Sequence, residues 1–297
     1  MGIEDAKPQR AAEYPAEQAL LCERTLVTLL RGCGPWKRGM YLAGGLVPRY
    51  LPRDPEAEEE HAGTQDIDLV LDLDELADTD AYRSLERNLK QLGFVRSANP
   101  QGQARHFSWI REVTPGQRVV VDFLCKAPGA PSGRAVPVEK RLSALQIPGA
   151  HLVVEDHLEI QVQADLLEER GTATETIRFA NLTPFLILKA LAYDDRMERK
   201  DAYDLVWCLI QAPGGPRAAG REFARRRADH PDETLFGRAL EILASRFASA
   251  PDLPGQRKDG PVSYAQFLAM TRGADPLELL QEAVSAVELF LEEARRL

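Results

Sequence analysis

The stretch "GTQDIDLVLDL", residues 63–73, alternates apolar and acidic residues at a period of two and therefore predicts a β-strand. One face of this strand carries aliphatic side chains, those of Ile67, Leu69, Leu71 and Leu73. Asp66 and Asp68 share the other face and lie about 7 Å apart along the strand. Taken alone, this acidic face is either a solvated surface or a site that binds a cation, since two close carboxylates repel each other.

Short strands and helices are predicted on both sides of this stretch. "GMYLAGGL" predicts a strand that ends at Gly44-Gly45, and "QRVVVDFLC" predicts a later, buried strand. Between them, "DAYRSLERNLKQLGF" predicts a helix capped by Asp80. From Thr183 onward, helical periodicity dominates. We expect an α+β fold: residues 1–180 form a mixed sheet with flanking helices and an N-terminal arm, and residues 181–297 form a C-terminal helical bundle.

Composition narrows the function classes. The chain has 297 residues and a formal net charge of -9, which argues against a generally basic protein that wraps nucleic acid. Its four cysteines form no CxxC pair and are expected to be reduced core thiols. No apolar run approaches the roughly 20 residues needed to span a membrane, and the polar N-terminus does not have the pattern expected of a signal peptide. We therefore expect a cytoplasmic protein without a membrane partner.

Two further features accompany Asp66 and Asp68. Glycines such as Gly44 and Gly45 let a backbone approach a ligand closely, and N–H groups at a helix start favour phosphate, although such a pair is more often only a turn. Asp122 interrupts the apolar run of "RVVVDFLC". A buried carboxylate needs a partner, because burying it unpaired is costly. That partner is either an arginine or a cation shared with Asp66 and Asp68.

The order of these features resembles the nucleotidyltransferase superfamily of the DNA polymerase β type, over about residues 38–125. The match consists of a Gly-Gly pair, an Asp-x-Asp on a strand and a third Asp on a later strand. The resemblance implies that Asp66, Asp68 and Asp122 are catalytic and hold two Mg²⁺ ions, for which Mn²⁺ could substitute. It further implies transfer of a nucleoside monophosphate (NMP) from a nucleoside triphosphate (NTP) to an acceptor.

The phosphate-binding part of the resemblance has two departures. Leu46 stands where the family usually has Ser or Thr nearby to contact phosphate, and a long acidic loop, "LPRDPEAEEEHAG", separates Gly45 from Asp66. We expect this loop to be exposed. Gly44, Gly45 and Arg49 are the nucleotide-binding residues expected in this half, with the arginine supplying positive charge.

The second half of the chain resembles one particular branch of this superfamily. "LILKALAYDDRMERKDAYDL", residues 186–205, resembles the AbiEii/AbiGii toxin branch, in which a lysine-bearing helix precedes an "R…KDxYDL" element. The resemblance implies a catalytic and nucleotide-binding Lys189 and a catalytic aspartate at Asp201 or Asp204. From the residues alone, Lys189 lies in an apolar helix and needs an anionic partner. A salt-bridged pair of helices would supply that partner equally well.

These resemblances predict an enzyme, a metal-dependent nucleotidyltransferase. Its expected acceptor is RNA such as the tRNA 3′ end, and its expected role is that of a toxin-like or phage-defence protein with a cognate antitoxin. One alternative is nucleotidyl transfer to a small hydroxylated molecule, which the net charge of -9 would suit if that molecule were cationic. Another is a non-catalytic binding module on the same fold. The nucleotide and the acceptor stay open.

Overall fold

The computed structural model describes residues 8–57, 59–79, 84–99, 101–126, 133–269, 273 and 275–296. The fold is α+β, as the sequence predicts, with a mixed sheet and C-terminal helices. The chain forms two compact units. Within the described residues, the first comprises Pro15–Tyr50 and Gly63–Asn181. The second comprises Pro8–Tyr14, Leu51–Ala62 and the chain from Leu182 onward, so two segments that the sequence prediction put in the first domain group with the helices.

The first unit is built on one sheet. Its elements are α1 (Ala16–Cys33), β1 (Met40–Ala43), β2 (Asp66–Leu71), α2 (Leu73–Ala77), α3 (Leu85–Gln91), β3 (Val95–Ala98), β4 (Ala104–Thr114), β5 (Gln117–Lys126), β6 (Ala135–Glu139), β7 (Leu142–Ile147), α4 (Ala150–Glu155), β8 (His157–Asp165) and β9 (Thr172–Ala180). The strand order is β3-β4-β5-β2-β1-β9-β8, and β7 joins β5 and β6 off this path. A 3-10 helix, Gly44–Arg49, follows β1 directly.

Strands β2 and β5 lie side by side in this sheet, and buried and half-buried residues alternate along both of them. The aliphatic face of β2 is buried, as are the residues of β5 that flank Asp122, namely Val121 and Phe123. β2 pairs antiparallel with β1 and parallel with β5. The other face of β5 is more open, because Val120 and Asp122 are only half-buried.

Local capping differs from the sequence prediction at two places. Asp80, the predicted cap, lies outside the described residues, and α3 begins after Ser84, whose side chain accepts a hydrogen bond from the N–H of Arg87. β2 ends at Leu71, and Asp72 caps α2 by accepting from the N–H groups of Asp74 and Glu75. The acidic row beyond Asp68 therefore starts a helix rather than extending the strand.

The second unit is helical. Its helices are α5 (Leu182–Arg196), α6 (Arg199–Gln211), α7 (Gly215–Asp229), α8 (Leu235–Arg246), α9 (Asp259–Leu268) and α10 (Pro276–Ala294). Aromatic rings fill its core, and Phe223 packs edge-on against both Phe236 and Phe290. None of the helices in the described part of the chain is long and apolar enough to cross a membrane.

Candidate active site

The three aspartates predicted to bind metal share one face of the sheet. In the parallel register of β2 and β5, Asp68 lies opposite Asp122, and Asp66 lies opposite Val120. Residues that face each other across neighbouring strands point to the same side, and the strands are about 4.8 Å apart. Asp66, Asp68 and Asp122 are all half-buried. The fold thus brings Asp122 beside Asp66 and Asp68, whereas the sequence could only place it on a separate strand.

Gly44 lies directly against this face. Its φ of +68° is in the left-handed region, which favours glycine. A Cβ atom at this position would lie 1.8 Å from Oδ2 of Asp68, so any side chain here would displace the carboxylate. Gly44 begins the 3-10 helix, and the next two residues, Gly45 and Leu46, are buried. Leu46 is 1 % exposed, which shows that the residue replacing the expected hydroxyl packs in the core.

Thr64 is a neighbour of the aspartates that the sequence prediction missed. Its hydroxyl donates a 2.6 Å hydrogen bond to Oδ1 of Asp66. The buried thiol of Cys22 is close by, and its pKa lies well above the ordinary value because of burial and of the Asp66 charge. The spacing of two residues between Thr64 and Asp66 could have indicated this hydrogen bond, because Ser and Thr side chains often bond to groups two residues further along the chain.

Arg49, the predicted phosphate ligand, already has an acidic partner in the first unit. Its Nε lies 2.7 Å from Oε2 of Glu23, on α1. The hydroxyl of Tyr50 donates to the same oxygen at 2.9 Å. Glu23 therefore fixes the end of the 3-10 helix, and the Arg49 guanidinium is partly neutralised before any ligand binds.

The chemistry of the aspartates fits a hard divalent cation, since carboxylate oxygens are the ligands that Mg²⁺ prefers. Their backbone positions fit as well, because the three side chains leave one face and Gly44 keeps that face clear beside Asp68. In the described residues, however, no three side chains of His, Cys, Asp or Glu are arranged closely enough to hold a metal ion. The backbone thus brings the three carboxylates to one face, but in this structure their side chains do not converge on a single point.

Lys189 belongs to a buried ion cluster in the second unit. Its Nζ lies 2.9 Å from Oδ1 of Asp201 and 2.7 Å from Oδ2 of Asp204, both on α6. Arg196 also binds Asp201, through Nε at 2.6 Å and a terminal nitrogen at 2.8 Å. Lys200 forms an ion pair with Asp204. Both aspartates left open by the sequence therefore contact Lys189.

Mutual attraction keeps this cluster ionised despite its burial. Burial alone would raise the pKa of Asp204, but Lys189 and Lys200 hold it below its ordinary value. Burial alone would lower the pKa of Lys189, but Asp201 and Asp204 raise it above the ordinary value. For Lys200 burial prevails, and its pKa is lowered. Asp201 and Asp204 are sufficient to stabilise the buried ammonium of Lys189, so its burial does not require a bound nucleotide. The catalytic role of Lys189 stays a prediction.

His61 completes the cluster from the segment Leu51–Ala62, which the acidic, proline-containing sequence predicts to be an exposed loop. Its Nε2 lies 2.9 Å from Oδ1 of Asp204, and its ring packs against Tyr203 and Trp207. Burial and the charge of Lys200 lower the pKa of His61 from 6.5 to about 4, so the ring is neutral at pH 7. Its partner is 143 residues away in the chain, and no local pattern indicates the contact.

Comparisons with known proteins identify no family. No family model matches the chain, and no curated protein matches it. Among solved structures, the chain is similar to JHP933 from Helicobacter pylori, with 14 % identity, 95 % of each chain covered and a TM-score of 0.40. A likeness this weak carries no argument about function, which must come from the site itself.

Proposed function

We propose that the protein is a metal-dependent nucleotidyltransferase: an acceptor hydroxyl attacks the α-phosphorus of an NTP, the acceptor gains an NMP and loses its hydroxyl proton, and pyrophosphate is released. The observation that carries the proposal is the register of β2 and β5, which sets Asp68 opposite Asp122 with Asp66 on the same face. Gly44 gives independent support, because any side chain at this position would overlap the Asp68 carboxylate. The family resemblance of the sequence supplies the reaction class.

Each residue then has a physical task. Asp66, Asp68 and Asp122 supply hard oxygen ligands, and bound Mg²⁺ would stabilise the entering and leaving oxygens. Gly44 and Gly45 let the backbone approach the triphosphate, as N–H groups at a helix start favour phosphate. Arg49 adds a cation whose position Glu23 fixes. Asp122 also serves as general base for the acceptor hydroxyl, since a carboxylate beside the site can accept its proton.

The ion cluster of the second unit enters the proposal through the family resemblance. Lys189 and either Asp201 or Asp204 are proposed to be essential for transfer. Their mutual contacts support a role in holding one another in place, since an ammonium so deeply buried would be costly without its carboxylates. A direct role of Lys189 on the nucleotide would require it to keep its charge, which the raised pKa provides.

RNA, with the tRNA 3′ end as first choice, is the proposed acceptor, and a toxin-like or defence role with a cognate antitoxin is the proposed setting. Both follow from the resemblance. A small cationic hydroxylated molecule is the second candidate acceptor, favoured by the net charge of -9. The negative charge of the protein would attract a cationic molecule at long range. It would repel RNA, except where basic patches lie on the surface.

Label transfer tests the proposal. Purified protein is incubated with α-labelled NTPs, Mg²⁺ or EDTA, and either total tRNA or a small-molecule extract. We expect Mg²⁺-dependent labelling of an acceptor, reduced on the order of 100-fold or more by Asp68→Asn. Asp74→Asn is the matched control, because this aspartate follows on the same stretch but its side chain is 78 % exposed. Absence of metal-dependent label on every acceptor would refute the proposal.

A further inference from the structure

The carboxylate of Asp66 is held by a buried hydroxyl from its own chain segment. Thr64 is 3 % exposed, and its Oγ1 donates to Oδ1 of Asp66 at 2.6 Å. This length is in the range of charge-assisted O–H···O⁻ bonds, which are about twice as strong as neutral ones. The hydrogen bond therefore fixes the side-chain orientation of Asp66 more firmly than packing of a half-buried carboxylate would.

A second contact aims the hydroxyl. The backbone N–H of Asp66 donates to the same Oγ1 at 3.4 Å. The hydroxyl has one hydrogen to donate, and two acceptors of Asp66 lie within reach: the backbone carbonyl oxygen at 3.4 Å and Oδ1 at 2.6 Å. The shorter distance favours donation to the carboxylate.

Helix α1 anchors the segment that carries Thr64. Gly63 has a φ of +90°, and a Cβ atom on it would lie 3.1 Å from the Cβ of Ala19. The thiol of Cys22 donates to the carbonyl oxygen of Thr64 at 3.7 Å. Both contacts are within the first unit. Thr64 is thus fixed from α1 on one side and reaches Asp66 at the start of β2 on the other.

We propose that Thr64 is a positioning residue that orients Asp66 as a ligand for a divalent cation. This inference rests on the proposed function. Carboxylates that bind metals are themselves hydrogen-bonded by neighbouring groups, and loss of such a partner typically weakens metal binding about 10- to 100-fold. The opposite relation, in which Thr64 competes with the cation for Asp66, predicts tighter metal binding when the hydroxyl is removed.

Titration of the full chain with Mn²⁺ distinguishes positioning of Asp66 by Thr64 from competition between Thr64 and the cation. The electron paramagnetic resonance signal of free Mn²⁺ measures how much Mn²⁺ is bound. Thr64→Val removes the hydroxyl and keeps the shape, and Thr64→Ser keeps the hydroxyl. Thr64→Ala removes the hydroxyl in a smaller side chain, should the valine variant not fold. Thr28→Val is the matched control: this similarly buried hydroxyl on α1 bonds, among the described residues, to backbone groups of Arg24 and Leu167 and not to a carboxylate.

We expect the Kd for Mn²⁺ to rise about 10- to 100-fold in Thr64→Val and Thr64→Ala, and to stay within about three-fold of wild type in Thr64→Ser. Thr28→Val should bind as wild type does. If wild type binds Mn²⁺ and the hydroxyl-free variants bind it equally or more tightly, the positioning role is overturned while the proposed function stands. If wild type binds no Mn²⁺, or if Asp66→Asn binds it as tightly as wild type does, the proposed metal site is overturned as well.

Discussion

The neutral, buried His61 should make the protein sensitive to mild acid. Its side chain is 6 % exposed, and Nε2 must carry the proton, because the Asp204 oxygen 2.9 Å away only accepts. The charged groups facing the ring are Asp204, Lys200 and Lys189, all in the second unit. Burial first, and then the two lysines, lower the pKa of His61 to about 4 and outweigh the attraction of Asp204.

The direction and size of the effect follow from these values. In the unfolded chain His61 binds a proton below its ordinary pKa of 6.5, whereas in the folded protein it binds one only below about pH 4. Between these limits the unfolded state binds more protons, so the free energy of unfolding decreases as the pH falls. At 1.36 kcal/mol per pKa unit, the total is about 3 kcal/mol, of which about 2 kcal/mol is lost between pH 7 and pH 5.

The decrease in the free energy of unfolding is measured by urea unfolding at pH 7 and at pH 5, with helical circular dichroism as the signal. The matched variant is His61→Gln, whose Nε2 can donate to Asp204 but does not titrate. We expect wild type to lose about 2 kcal/mol and the variant less than half as much. The lowered pKa values of Asp201 and Asp204 act only below about pH 4 and do not overlap this window. Equal losses in both proteins would refute the assignment to His61.

Two further predictions concern the ion cluster and the glycine beside Asp68. Lys189→Met should destabilise the fold by about 3–5 kcal/mol in urea unfolding, because it leaves Asp201 and Asp204 buried without that cation; a loss under about 1 kcal/mol would contradict the cluster's importance. Gly44→Ala should reduce label transfer at least about 10-fold by displacing the Asp68 carboxylate. Gly116→Ala, at a positive φ with nothing within 4 Å, should leave transfer unchanged; equal effects would contradict the steric argument.

Local patterns in the sequence predicted the elements but not their partners. Alternation at period two located β2 and the shared face of Asp66 and Asp68, and the glycine pair located the end of β1. The register that sets Asp68 opposite Asp122 depends on a pairing between strands distant in the chain. A shift by one residue would turn Asp122 to the other face, and no local pattern excludes that shift.

The ion cluster shows the same limit. The sequence predicted that Lys189 needs an anionic partner, and it left open whether that partner is a ligand or a neighbouring helix. Asp201 and Asp204 lie one turn apart on α6, so both could be named as candidates from helical spacing. The contact of His61 with Asp204 had no such signal. An acidic, proline-containing segment predicts an exposed loop, and only tertiary packing reveals that one histidine in it is buried.

Asp66, Asp68 and Asp122 are proposed to act as one catalytic group. The most direct measurement is Mg²⁺-dependent transfer of labelled NMP by Asp68→Asn, Asp122→Asn and the double variant. Residues that act as a unit are not additive, so we predict that each single variant loses about as much activity as the double variant, while Asp74→Asn retains activity. Full activity in Asp122→Asn, or no metal-dependent transfer by wild type, would contradict the claim.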